Sequence, residues 1–431
     1  MSGSEAPPAS LRRICLVGKY PPVEGGVSAQ TYAAVDTLCA HAYDVDVVTN
    51  AREAEPELRE LMLPEDEERL LDGPARVHYT TPLADDSYVP WANPYASKLL
   101  GLTLSVVERE RSDAIVGWYL EPYGLVASFA GRITGRPVML IHAGSDLGRL
   151  ALHEDLSPAY RWCIASADRI QTHPLLIPRL LALGASQEQL VFPRGSRPPG
   201  YFRAEAPSLD VERYVSVSPD WAFAASRDAA RFDPALPTIG VYGKVNRAKG
   251  SFDLLAALTR LASEEAEFTF LAAIGGDRQS CARFVELVRD DDALRRRTTL
   301  LPFLPPWRIP ELLAACDVVC CLERRFPISF HNSSIPFEAA TCGVCLLCSR
   351  EVIAPHAREG VFVGGETCIE VADPEDHDEL TRALRWAIAN RSAVREIGRR
   401  AHSRELELQE RAASDGGVAG AIEGWLASAV G

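Results

Sequence analysis

The chain has 431 residues, too many for one ordinary core, so two domains are expected. Hydrophobic residues make up 47% and charged residues 24%, which excludes a disordered chain and allows sizeable cores. A formal net charge of -14, with no basic stripe and interleaved aromatics, argues against a nucleic-acid partner. The arginine clusters at 295–297 and 399–400 read as solvated faces. No apolar run reaches the ~18 residues of a membrane span. The first ten residues lack the apolar centre of a signal peptide, so a cytoplasmic protein with a short irregular lead is expected.

In chain order, the first half alternates short apolar strands with helices. Strands are expected at 14–17, 44–48, 77–79, 114–118, 138–141, 169–172 and 190–192. Helices are expected at 28–40, 94–109, 124–131, 159–166 and 175–184. The acidic stretch 53–72 reads as an exposed insertion. Residues 203–236 have no strand rhythm and read as a linker. Beyond it, strands are expected at 239–241, 268–273, 298–301, 318–322, 344–349 and 368–371. From Asp373 onward the pattern is helical, and its last helix covers 418–430. The run Asp290, Asp291, Asp292 reads as a surface turn. This alternation is the pattern of doubly wound parallel sheets.

Eleven cysteines are present, and the spacing of Cys342, Cys345 and Cys348 invites a metal site. The last two sit in a run that reads as a buried strand. Free cysteine behaves as a small hydrophobe, so neutral buried thiols are the better reading, and no metal is assigned.

Two segments carry chemistry. At 237–250 a strand ends in Gly243, and a loop with Lys244, Arg247 and Lys249 leads to Gly250 and a helix. Fixed positive charge on such a loop suits a diphosphate leaving group, with a solvated basic loop as the alternative when the segment is taken alone. At 326–343 a loop leads into a helix, with Ser333 and Ser334 as N-caps and Pro336 in the first turn. Its free N–H groups, from Ser333 to Ile335, suit a diphosphate. Glu338 in the first turn suits the hydroxyl pair of a ribose. No Gly-x-Gly-x-x-Gly follows the first strand, which disfavours a dinucleotide oxidoreductase.

Together these segments resemble the retaining glycosyltransferases of the GT-B fold, in the group 1 family. Gly243-Lys244 and Lys249-Gly250 stand for that family's Gly-Arg and Lys-Gly. Glu338-Ala-Ala-Thr-Cys-Gly343 resembles its second glutamate and following helix. In the first half, Pro21, Pro22, Gly25 and Gly26 look like its Pro-Pro…Gly-Gly loop. His142-Ala-Gly-Ser-Asp146 looks like its His-x-Gly-x-Asp, and 167–173 like its Ala-Asp strand. The sequence departs from the family at three places. Phe330 stands where the first glutamate of the pair falls, Lys244 replaces an arginine and its planar fork, and Arg194-Gly-Ser-Arg197 replaces Asn-Gly-Val-Asp.

The resemblance implies an α/β fold with two Rossmann-like, doubly wound domains facing a central cleft. The expected bounds are 1–203 for the acceptor-side domain, 204–236 for the linker and 237–405 for the nucleotide-sugar domain, with 406–431 crossing back to the first domain. It implies transfer of a sugar, with retention, from a nucleotide-diphosphate sugar to a hydroxyl or amine, without a metal or other cofactor. His142, Lys244 and Lys249 are the expected catalytic residues. Gly25, Gly26, Lys249, Ser333, Ser334, Ile335 and Glu338 are expected at the donor, and His331 or Asn332 at its sugar. Glu323 is a further substitute for the missing acid. Glu121 and Tyr123 are acceptor candidates by location, with packing as the alternative. UDP or GDP is favoured over ADP or dTDP, and a soluble small molecule or natural-product scaffold is favoured as acceptor. A homodimer is compatible with this reading. The competing readings are a nucleotide-sugar epimerase on this fold and a non-catalytic sugar-nucleotide-binding partner.

Overall fold

The protein is described here by a computed structural model covering residues 12–50, 58–81, 94–193, 198–217, 232–328, 331–357, 359–412 and 417–428. Phe330 and Arg194 to Arg197 lie outside the described residues, as does part of the acidic stretch. The chain divides into two compact units. The first holds Met1–Pro56, Leu63–Ser196 and Ser414–Gly431, and the second holds Glu57–Met62 and Arg197–Ala413.

Parallel strands covered on both faces must be apolar along their whole length. The first unit follows this rule with seven strands: β1 (Arg13–Gly18), β2 (Asp44–Thr49), β3 (Arg76–Tyr79), β4 (Ala114–Trp118), β5 (Val138–Ile141), β6 (Arg169–Gln171) and β7 (Leu190–Val191). Their order is β3-β2-β1-β4-β5-β6-β7, all parallel. Strand β1 sits between β2 and β4, pairing Cys15 with Asp46 and with Ile115. The second unit repeats the plan with β8 (Thr238–Lys244), β9 (Thr269–Gly275), β10 (Thr298–Pro302), β11 (Val318–Cys321), β12 (Cys345–Ser349) and β13 (Ile369–Val371). Their order is β10-β9-β8-β11-β12-β13. Each sheet therefore reverses direction at its first strand. That switch point opens a crevice at the carboxyl ends of the strands, the usual ligand site of such sheets.

The second unit's core is continuous across the sheet, from Ile239, Phe270 and Leu300 to Leu347 and Val371, with Leu258, Leu261 and Leu384 from covering helices. Cys345 and Cys348 are three apart on one strand, so their side chains point to opposite faces. Both are buried, and burial pushes both thiols up. For Cys348 a hydrogen bond to Cys368 raises the thiol still more than burial does.

Three expectations change. Within the acidic stretch, Pro64–Leu71 is a helix. Proline starts it, Asp66 accepts the Leu63 N–H at 3.1 Å, and Leu70 is buried, so its acids serve a helix N-terminus. In the supposed linker, Val211–Val217 is helical, with Val211 and Tyr214 buried, and the Leu209 N–H donates to the Glu311 carbonyl at 2.9 Å. Asp291 is a cap, accepting the Leu294 N–H at 2.7 Å to start Asp292–Arg295.

The last helix, Gly417–Ser428, belongs to the first unit and buries Ile422, Trp425 and Leu426. It packs on the helix Gly26–Ala40, and Glu423 meets His41 at 2.6 Å. Among the described residues no helix is long and apolar enough to cross a membrane.

Candidate active site

In the second unit, β8 ends at Gly243 and Lys244, and the chain must turn at once into the helix Ser251–Ser263. Gly243 takes φ 113°, open to glycine and strained for other residues. Asn246 organises the turn: its side-chain Oδ1 accepts the Lys249 N–H at 2.9 Å, and its backbone N–H donates to Ser251 Oγ at 3.3 Å. Gly250 is left-handed at φ 69°, and a Cβ there would stand 2.3 Å from the Leu322 carbonyl oxygen. Only glycine lets this loop lie against the end of β11.

A second loop, following β11, is joined to the first. The Arg324 N–H donates to the Ala248 carbonyl at 2.8 Å, and its guanidinium binds Asp253 at 3.1 Å and Glu375 at 2.7 Å. Arg324 is thereby neutralised, and Lys244, Arg247 and Lys249 are the other cations of this loop. Gly243, Lys244, Lys249, Ser251, Glu323 and Ile335 line a cavity of about 50 Å³ at the switch point of the sheet. Lys244 is exposed, whereas the Lys249 side chain is 22% exposed.

Lys249 Nζ donates to Glu323 Oε1 and lies 5.1 Å from the Phe326 ring centroid. Glu323 is 4% exposed, and its other oxygen meets His331 Nε2 at 2.9 Å. Burial works to raise the Glu323 carboxyl, but the bond from His331 and the Lys249 charge outweigh it and hold the group down at about 2. The imidazole of His331 stacks on Phe326 at 3.7 Å. Asn332 faces elsewhere, its side-chain oxygen 2.8 Å from His356 Nε2, and His356 is packed edge-on against Phe337.

The helix after this loop is Ile335–Thr341. Ser334 occupies its N-cap position but has helical dihedrals and makes no capping bond, contrary to the capping expected of Ser333 and Ser334. Ser333 Oγ lies 3.7 Å from Cys321 Sγ instead. The Ser334 hydroxyl serves Glu338, whose Oε2 also accepts from Tyr242 OH at 2.5 Å. Burial raises the Glu338 carboxyl despite these two donors.

In the first unit, Gly25 has φ 115° and ψ 168° and stands at the N-cap of Gly26–Ala40, which has no side-chain cap. A Cβ at Gly26 would meet nothing within 4 Å. His142 follows β5 and is half-buried, with Nε2 2.8 Å from Thr172 Oγ1 and Nδ1 3.4 Å from the Ala143 carbonyl. A carbonyl only accepts, so Nδ1 carries the proton and Nε2 accepts from the threonine. Burial, with a smaller push from His173, lowers the imidazole to about 4, so it is neutral at pH 7. Asp146, fully buried, pins this turn by accepting the N–H groups of Ala143 (2.9 Å), Leu120 (3.1 Å) and Leu147 (2.8 Å).

Glu121 accepts from Tyr160 OH at 3.1 Å. Tyr123 is 1% exposed and donates to Asn50 Oδ1 at 2.6 Å, so packing accounts for it and it presents no face to an acceptor. Sequence reasoning missed Tyr119, which holds φ 77°, donates to or accepts from Ser145 Oγ at 2.8 Å and lies under Lys19 Nζ at 5.2 Å. Positive φ at a tyrosine is uncommon and has no sequence signal. It also missed Tyr242, which a β-strand face assigns to packing as readily as to a site.

Residues 223–404 match the family model described as glycosyl transferases group 1. No curated protein matches the chain. Among solved structures it is similar to sucrose-phosphate synthase from Thermosynechococcus elongatus, at 16% identity over 97% of this chain and 98% of that one, with TM-score 0.61. HepE of Anabaena, solved with UDP-glucose, aligns at 15% identity over 97% and 100%, TM-score 0.60. The UDP-forming α,α-trehalose-phosphate synthase of Burkholderia vietnamiensis aligns at 13% over 97% and 99%, TM-score 0.57. The chain has the GT-B fold of these structures, and within it residues 223–404 match the group 1 glycosyl transferase model.

Proposed function

We propose that the protein is a retaining glycosyltransferase that moves a sugar from a nucleotide-diphosphate sugar to a hydroxyl or amine of a soluble acceptor. The observation that carries this reading is the glycine–lysine loop at the switch point of the second sheet, which puts Lys244 and Lys249 on the wall of one small cavity. As the bond to the sugar breaks, negative charge gathers on the diphosphate, and fixed cations lower the barrier most when they meet that charge. The helix Ile335–Thr341 has only seven residues, so its N–H groups contribute less than the lysines. Two lysines supply the charge that a metal supplies elsewhere, and added chelator should leave activity intact.

Glu338 would take the ribose hydroxyls in place of its present bond from Tyr242, and His331 would meet the donor sugar. His142 would serve the sugar through a neutral ring. Lys244, Lys249, Ser333, Ser334, Ile335 and Glu338 are thus assigned to the donor, with Gly25 and Gly26 offering backbone N–H groups. The solved complexes of HepE with UDP-glucose and with UDP support a uridine or similar diphosphate donor here.

The test is release of nucleoside diphosphate from a donor panel. Lys249→Ala should lower turnover by at least ~100-fold, the usual loss when one transition-state charge partner goes. A folded Lys249→Ala protein with near-normal turnover would remove the assignment.

A further inference from the structure

Glu323 is an anion in the wall of a cavity read as an anion site. It lies 4% exposed at the end of β11, and Lys249, the residue assigned to the donor diphosphate, is its partner. Its second oxygen is held by His331 at 2.9 Å. The His331 ring is fixed in turn by its stack on Phe326. The Lys249 backbone is anchored by Asn246, whereas its four-carbon stem, 22% exposed, can swing. The lysine can therefore change partners while its loop stays still, and Glu323 keeps a hydrogen-bond donor when it does.

We propose that Glu323 is a built-in counter-ion that competes with the donor diphosphate for Lys249, with His331 retaining Glu323 while the lysine is away. Resting on the diphosphate reading of Lys249, this gives the site a specific economy of charge. Without ligand, the pair leaves no buried charge unpartnered, which is the costly condition. With ligand, Lys249 turns to the diphosphate and the nearby carboxylate weakens the grip. After transfer, recapture of Lys249 by Glu323 helps the nucleoside diphosphate leave. Glu323 acts through the lysine and is a positioning residue.

Removing Glu323's charge should then tighten binding, the reverse of what loss of a binding residue or of packing does. Calorimetry with UDP, GDP, ADP and dTDP on Glu323→Gln should show the bound nucleotide held about five-fold or more tightly than by the parent. Equal or weaker binding overturns the proposal. Should Glu323→Gln fold poorly, the pair Lys249→Met with Glu323→Gln removes both charges and leaves neither partner buried alone. That double variant should bind as Lys249→Met does by itself, because without the lysine Glu323 has nothing to hold back; a double variant that binds several-fold more tightly than Lys249→Met would show direct repulsion by Glu323 and overturn the proposal. If Lys249→Met alone binds as the parent does, the diphosphate assignment fails and takes this inference with it. If Lys249→Met weakens binding while Glu323→Gln does not tighten it, the inference fails and the assignment stands.

Discussion

His142 shows how one side chain joins chemistry to stability. Its pKa is lowered to about 4 from the ordinary 6.5, so the folded protein binds a proton there less readily than the unfolded chain. Between those values the unfolded state holds more protons, and stability rises with pH. The contribution is complete above about pH 6.5 and lost as pH falls towards 4, amounting to up to about 3 kcal/mol. His142→Gln should therefore flatten the fall in melting temperature between pH 7 and pH 4.5. A variant that loses stability with acid as steeply as the parent would show that His142 is not the buried neutral group described.

At the scale of elements, the strands were legible because parallel strands buried on both faces leave continuous apolar runs. Val138-Met-Leu-Ile141 and Val318-Val-Cys-Cys321 could be little else, and each is a strand. The glycine–lysine loop was legible because Gly243 and Gly250 mark turns. What escaped was pairing at a distance. Glu323 stands 74 residues from Lys249 in the chain, and its bond forms only because Gly250 allows the two loops to touch. The Pro64–Leu71 helix was hidden by its acids, whose value depends on where the helix begins. Gly250→Ala tests the loop contact. A methyl 2.3 Å from a carbonyl oxygen, on a left-handed backbone, should cost at least ~2 kcal/mol, read from denaturant midpoints. A loss within ~0.5 kcal/mol would mean that the loops do not meet as described.

At the scale of the molecule, each unit has its own sheet and core, so stability need not be lost in one step. The helix Gly417–Ser428 lies far along the chain from the strands it serves, yet it belongs to the first unit. Trp425, 4% exposed, should cost about 3–5 kcal/mol as Trp425→Ala. That loss should fall on the unfolding transition of the first unit. If Lys249 holds a nucleoside diphosphate as proposed, that ligand should raise the second unit's transition. Calorimetric scans that show the reverse assignment would contradict the division.

As proposed, a nucleoside diphosphate binds the second unit through Lys249. Titration calorimetry of UDP, GDP, ADP and dTDP against the parent and Lys249→Ala tests it most directly. At least one nucleotide should bind the parent, and the alanine variant should bind it at least ~10-fold more weakly, since a charge-assisted bond to phosphate is worth roughly 1.5–3 kcal/mol. Equal affinity of parent and variant, or no binding of any of the four to the folded parent, would contradict it.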